Sequence, residues 1–256
     1  MALGTLLIGE VFAFLIVFTR VAAALMVLPG IGDAFVSPRI RLVIALLFAA
    51  LITPGLIDTL PAMPASVLAL AVLLTGEALI GLFLGSIARL MLTAIDVAGQ
   101  IISFNLSLAN AFVFNPAMAA QGSLPGAFLS ILAVLLIFAT NLHHIMFMAI
   151  ADSYGLFPAG ALPPLGDMAD TVTRIVAGSF AIGLQMAAPF VAVGLLFYLG
   201  LGVLARLMPQ MQVFFVAIPA QIMLGFVVLS LTLSAAMLFW LDRTQARLLG
   251  FLAPGG

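Results

Sequence analysis

The chain has 256 residues, 65% of them apolar and 7% charged, with a mean hydropathy of +1.37. A soluble globular domain carries about 25% charged residues, so this composition excludes one and describes a polytopic, membrane-associated protein. A net charge of −1, with every cation an arginine, excludes a basic field for nucleic acid, and the lack of cysteine excludes disulfides, thiolate metal sites and cysteine nucleophiles.

Six apolar stretches follow one another: residues 6–28, 42–52, 67–95, 127–150, 175–207 and 213–241. The first lacks a basic leader and a small-residue cleavage site and carries Glu10, so it reads as a retained span and not a cleaved signal. A helix needs about 20 apolar residues to cross a bilayer. The second stretch stops short at Thr53, Pro54 and Gly55, which predicts a half-span or a helix lying in protein. The third and fifth exceed what a bilayer requires. Pro189 and Pro219 predict kinks in the fifth and sixth.

Glu10, Arg20, Glu77 and Arg89 fall within these stretches, where a lipid-facing charge is disfavoured by about 2.5–3.5 kcal/mol. They are expected to face protein or water. Glu77, Gly81 and Gly85 step by four along one helix side, and the two glycines form a small-xxx-small pair that lets backbones approach. This predicts a helix interface, either with another subunit or with a neighbouring helix of the same chain that satisfies Glu77. A proton relay is a third use of Glu77, weakened by the lack of a second carboxylate in that stretch.

Residues 99–126 are polar without being charged. Gln100, Ser103, Ser107 and Asn110 recur at spacings of three and four, which predicts one polar helix stripe. Asn115 and Pro116 then break the pattern, followed by Gly122, Pro125 and Gly126, so helix should give way to loop between 112 and 116. Such a loop cannot face lipid, where each unpaired amide costs several kcal/mol. Two readings stay open: an element lining a wet lumen, or an amphipathic connector at the membrane surface. Arginine counts in the connections lean towards cytoplasmic odd-numbered connections, with Arg243 and Arg247 pointing the other way.

No catalytic constellation emerges. His143 and His144 are adjacent, about 100° apart on a helix, and lack the partners of a metal motif. There is neither a glycine-rich phosphate loop with a lysine nor a G-x-S-x-G elbow. No enzyme activity, cofactor or metal is expected.

Two stretches are distinctive: Asn141, His143, His144, Asp152 and Ser153 near the end of the fourth span, and Arg206, Met208, Pro209, Gln210, Met211, Val213, Phe214 and Pro219 around the fifth connection. In this pattern, and in length and span order, the chain resembles the FliR family of flagellar biosynthetic proteins, export gate subunits of type III secretion. The resemblance implies an all-α protein of long, kinked and broken helices, built into a helical hetero-oligomeric channel. It implies assembly with FliP and FliQ in the inner membrane at the flagellar basal body, contact with FlhB and FlhA, and transit of unfolded flagellar proteins without chemistry. It also implies a FliP-like part over residues 1–165 and a FliQ-like helical hairpin over 166–256. The segment between the third and fourth spans becomes a channel plug comprising Phe112, Val113, Phe114, Asn115, Pro116 and Met118. Family members often carry an acidic residue before this proline, where the chain has Asn115. A secondary transporter for a small solute is the alternative, since it too uses broken helices and intramembrane charges. It predicts repeat symmetry between the halves, which the charges of the long third stretch do not show.

Overall fold

The computed structural model describes residues 2–107, 123–208 and 213–252. Among these residues there is no strand, and seven α-helices run in order: α1 Ala2–Val27, α2 Pro38–Leu56, α3 Val67–Asn105, α4 Leu124–Ala139, α5 Leu142–Leu156, α6 Leu165–Leu207 and α7 Val213–Leu252. The polytopic protein expected from composition, and the all-α class implied by the family resemblance, are what is observed. Five helices are long and apolar enough to cross a membrane, and α4 with α5 counts as a sixth if the pair is one broken span.

Local chemistry explains where the helices start and stop. Ser37 caps α2 by accepting the amide of Ile40, and Pro38 occupies the first turn, where its missing N–H costs nothing. Ser123 does the same for α4, its Oγ accepting the Gly126 amide at 3.0 Å. Between α4 and α5, Asn141 sits in the left-handed region at φ 58°, a conformation asparagine tolerates better than most residues.

Three features differ from the sequence expectation. The half-span becomes a 19-residue helix, because Ser37 and Pro38 start it early and Pro54 lies too near its end to break it. The fourth stretch is two helices, since Asn141 turns the chain. Helix α3 stops at Asn105, short of the 112–116 region. Pro189 and Pro219, at which kinks are expected, lie within α6 and α7.

The chain divides into two compact units. One comprises residues 1–90, 141–175 and 247–256; the other comprises 91–140 and 176–246. In the first, α1 is the most enclosed element: Ile16, Val17, Val21 and Ala24 are wholly buried, with Ile80 and Leu84 of α3 and Met146 and Ile150 of α5 also in the core. In the second, Ile95, Ala98 and Ile102 of α3 are buried, as are Leu129, Ala133 and Ile137 of α4 and Met186, Ala187 and Phe190 of α6. The single tryptophan, Trp240 of α7, is fully buried there and donates its indole N–H to the Met91 carbonyl at 3.1 Å.

Three helices are much longer than a membrane is thick. At a rise of about 1.5 Å per residue, α3 (39 residues), α6 (43) and α7 (40) reach about 60 Å, against a hydrocarbon core of about 30 Å. Large apolar side chains remain exposed far along α6, from Leu165 and Val176 through Leu195 and Leu199 to Leu207. One bilayer cannot cover all of that surface.

Glycine packing gives a direct test. A Cβ at Gly81 would fall inside contact distance of the Arg20 carbonyl oxygen, and one at Gly85 would lie 2.5 Å from the Ala24 carbonyl oxygen, whereas Gly155 has open space. Gly81→Leu therefore forces α1 and α3 apart and should cost at least about 1–3 kcal/mol, lowering the unfolding midpoint in detergent. Gly155→Ala should leave that midpoint unchanged or raise it slightly.

Candidate functional site

Two polar clusters stand out in an otherwise apolar molecule, one in each unit. The first surrounds Arg20, whose side chain is completely buried. Its Nε donates to Glu77 Oε2 at 2.7 Å, Nη1 to Ser153 Oγ at 3.1 Å and Nη2 to the Phe157 carbonyl at 2.9 Å. The guanidinium also lies 3.9 Å from the centre of the Tyr154 ring, a cation–π arrangement. Glu77 Oε1 accepts the amide of Gly160, whose φ of 81° suits glycine. Both carboxylate oxygens are thus engaged and the residue is 1% exposed. Gly81 and Gly85 bring α3 close enough to α1 for the pair to form.

This geometry places the Glu77, Gly81 and Gly85 face against α1 of the same chain. Of the interfaces the spacing allows, the intramolecular one fills that face. Of the other ionisable residues in the apolar stretches, Arg89 pairs with Asp33 in the α1–α2 connection, where Arg41 also donates to the Asp33 and Val36 carbonyls. Glu10 is exposed.

The second cluster closes the C-terminal end of α3. Gln221 of α7 is buried, donates Nε2 to the Asn105 carbonyl at 2.6 Å and to the Tyr198 hydroxyl at 3.1 Å, and accepts the Ser107 hydroxyl at 2.6 Å. Asn105 donates its own Nδ2 to the Ile101 carbonyl at 2.9 Å. Helices end with carbonyls that lack intrahelical partners, and here a side chain from another helix supplies one. Ser107 lies just beyond, at φ 56°. Gly194 and Gly225 make room for Asn105 and Leu106, respectively. Further along in sequence, Ser123 and Gly126 pack on Gly99 of α3. Both ends of the segment 108–122 are therefore fixed in the same unit, one by Gln221 and one by Gly99.

The predicted polar stripe is redistributed. Gln100 is exposed, whereas Ser103 is buried with no hydrogen-bond partner for its hydroxyl among the described residues. Ser107 lies past the helix end, and Asn110 is outside the described residues. The exposed side of this part of α3 instead carries Asp96, Gln100 and Phe104. The plug residues Phe112, Val113, Phe114, Asn115, Pro116 and Met118 also lie outside the described residues, as do Pro209 and Gln210. Arg206 and Met208 are exposed at the end of α6.

His143 and His144 stand in the first turn of α5, their ring centres 4.2 Å apart. His144 borders an open apolar groove of about 500 Å³ walled by Leu47, Phe48 and Phe147. Asp152 is exposed, while its neighbour Ser153 is buried against Arg20. Among the described residues, no group of three or more histidine, aspartate or glutamate side chains could hold a metal ion. Sequence reasoning passed over Gln221 and Tyr198. Their signal was an amide and a phenol set in runs of otherwise apolar residues.

The comparisons with known proteins agree with one another. The family described as bacterial export proteins, family 1, matches residues 11–246. The chain is similar to the flagellar biosynthetic protein FliR of Caulobacter vibrioides, 40% identical over 234 residues that cover 91% of this chain and 93% of that protein. It is similar to the protein of the same name from Bacillus subtilis, 34% identical with 87% and 86% covered, and from Escherichia coli, 28% identical with 80% and 78% covered.

The second cluster predicts a graded response. Gln221→Leu leaves the Asn105 carbonyl and the Ser107 hydroxyl without partners and should cost about 1–3 kcal/mol, while Tyr198→Phe removes one neutral hydrogen bond worth about 0.5–1.5 kcal/mol. Unfolding midpoints in detergent, read from Trp240 fluorescence, should rank wild type above Tyr198→Phe and Tyr198→Phe above Gln221→Leu.

Proposed function

The chain belongs to the bacterial export proteins of family 1, among the flagellar biosynthetic proteins FliR, and from that premise we propose that it is a subunit of the flagellar type III protein export gate. It assembles with FliP and FliQ in the bacterial inner membrane, within the flagellar basal body, and contacts FlhB and FlhA. Unfolded flagellar proteins pass through the resulting channel, and the chain acts by forming its wall and seal, without covalent chemistry. Residues 1–165 form the FliP-like part and residues 166–256 the FliQ-like hairpin of α6 and α7.

The observation that carries this reading is the length of α3, α6 and α7. Apolar helices about twice as long as the hydrocarbon core need protein neighbours along the rest of their surface. A large assembly of apolar helices provides them. A small-solute transporter supported by lipid alone does not.

Within the channel, Phe112, Val113, Phe114, Asn115, Pro116 and Met118 form the plug, with the uncharged polar Asn110 towards the lumen. A seal of phenylalanine and methionine excludes ions by apolar packing and yields to an unfolded chain. Fixed ends at Asn105–Ser107 and Ser123–Gly126 support this reading, because a plug between firm anchors returns to one position.

Deleting the gene should abolish flagellar protein export, and the full-length protein should restore it. Phe112 and Phe114 replaced together by alanine lose about 1.5–3 kcal/mol of burial each. That variant should assemble with its partners and make the reconstituted complex leak small ions. An assembled variant as tight as wild type removes these two residues from the seal, and a deletion strain that exports normally removes the export function.

A further inference from the structure

Helix α3 carries a carboxylate on an outward face for which the described residues supply no counter-charge. Asp96 is exposed, and no ion pair to it exists among the described residues. One of its oxygens, Oδ1, accepts the Ser130 hydroxyl of α4 at 3.1 Å. Ser130 is the one polar side chain in the sequence LPGAFLSILAVLLIFA of α4. One turn beyond Asp96 on α3 lies Gln100, exposed, and one turn further lies Phe104, 64% exposed. On α4 the outward side chains are apolar, with Ile131 70% and Leu135 61% exposed.

Three surroundings are available to this face. In lipid, an aspartate within a spanning helix is strongly disfavoured, and the Ser130 hydroxyl alone cannot offset the loss of hydration of a full charge. In water, Asp96 and Gln100 are satisfied, but Phe104, Ile131 and Leu135 are left exposed. A protein surface that is apolar around one cation suits every member of the face at once. Its aliphatic side chains cover Phe104, Ile131 and Leu135, and its charge meets Asp96 in a setting of low dielectric.

We infer that the face formed by Asp96, Gln100, Phe104, Ile131 and Leu135 docks an apolar helix of a neighbouring subunit, and that this helix presents an arginine or lysine to Asp96. Ser130 holds the carboxylate in place from its own side and leaves the other oxygen for the incoming cation. Gln100 supplies an amide beside the ion pair, one helical turn away. The inference rests on the reading of the chain as a subunit of a membrane assembly and adds to it a surface and a charge for the partner.

Because the chain has no cysteine, Asp96→Cys introduces a single thiol. Its reaction with a charged thiol reagent is measured in membranes containing the assembled complex and again after the complex is dispersed in denaturing detergent. The expected result is protection in the complex and reaction after dispersal. In parallel, the amount of chain recovered with its partner subunits in mild detergent is compared for four forms. Asp96→Glu keeps the charge and should assemble like wild type. Asp96→Asn should assemble less, and Asp96→Arg should fall by about tenfold or more, as a like charge is set against the partner's cation. A thiol at position 96 that reacts equally in the complex and after dispersal overturns the inference, because the face is then wet. Assembly of Asp96→Arg at the wild-type level also overturns it. In either case, a wild-type complex that still forms and exports leaves the gate function standing.

Discussion

The first unit depends on one buried ion pair. Arg20 sits in the middle of the most enclosed helix, shielded from solvent, and would be severely destabilising there without compensation. Its partners are drawn from three places in the sequence: Glu77 from α3, Ser153 and Tyr154 from α5, and the Phe157 carbonyl from the chain that follows α5. Satisfying the guanidinium therefore fixes the position of α1, α3 and the end of α5 together. An apolar core alone specifies such an arrangement weakly, since leucine and valine side chains accept many registers. A planar, five-donor guanidinium accepts few. Gly81 and Gly85 follow from the same requirement, because the Glu77 carboxylate reaches Arg20 only where the α3 backbone comes close to the α1 backbone.

In the second unit, neutral groups organise the packing. Gln221 closes the end of α3, Trp240 donates to a carbonyl within the same helix, and Ser123 caps the next helix against Gly99. The difference between the units suits different tasks. The charged cluster is wholly enclosed and leaves neither Glu77 oxygen open to a proton path. The neutral cluster lies where α3 hands over to the segment proposed as the seal. Amides and hydroxyls can hold the base of such a segment without placing a charge beside it.

Much of this was legible in the sequence, and the remainder was hidden for identifiable reasons. Hydropathy alone gave the six apolar stretches, because burial in lipid or protein demands the same residues. The spacing of Glu77, Gly81 and Gly85 revealed a close helix contact but could not name the opposite helix, since Arg20 lies 57 positions away. Pro54 misled because a proline's effect depends on how many turns remain beyond it, and α2 ends within one. Asn141 concealed a helix break because a left-handed asparagine turns the chain without the proline or glycine that usually marks a break. The stripe through Gln100 breaks up: Gln100 faces outward, but Ser103 turns into the core beside Ile102, and the outward positions one turn either side of Gln100 are Asp96 and Phe104. The family resemblance came from the histidine and Met-Pro-Gln motifs; the histidines open α5, and Pro209 and Gln210 lie outside the described residues.

The central claim is that Arg20 and Glu77 form an internal, structural pair that sets the helix arrangement. A double-mutant cycle tests it most directly: Arg20→Met, Glu77→Leu and the double substitution, compared by unfolding in the same detergent. Each single change strands one buried charge and should cost roughly 3–5 kcal/mol. The double change strands none and should cost far less than the sum of the two, giving a coupling of about 2 kcal/mol or more. Additive losses, or single substitutions that leave the unfolding midpoint unchanged, would contradict the account.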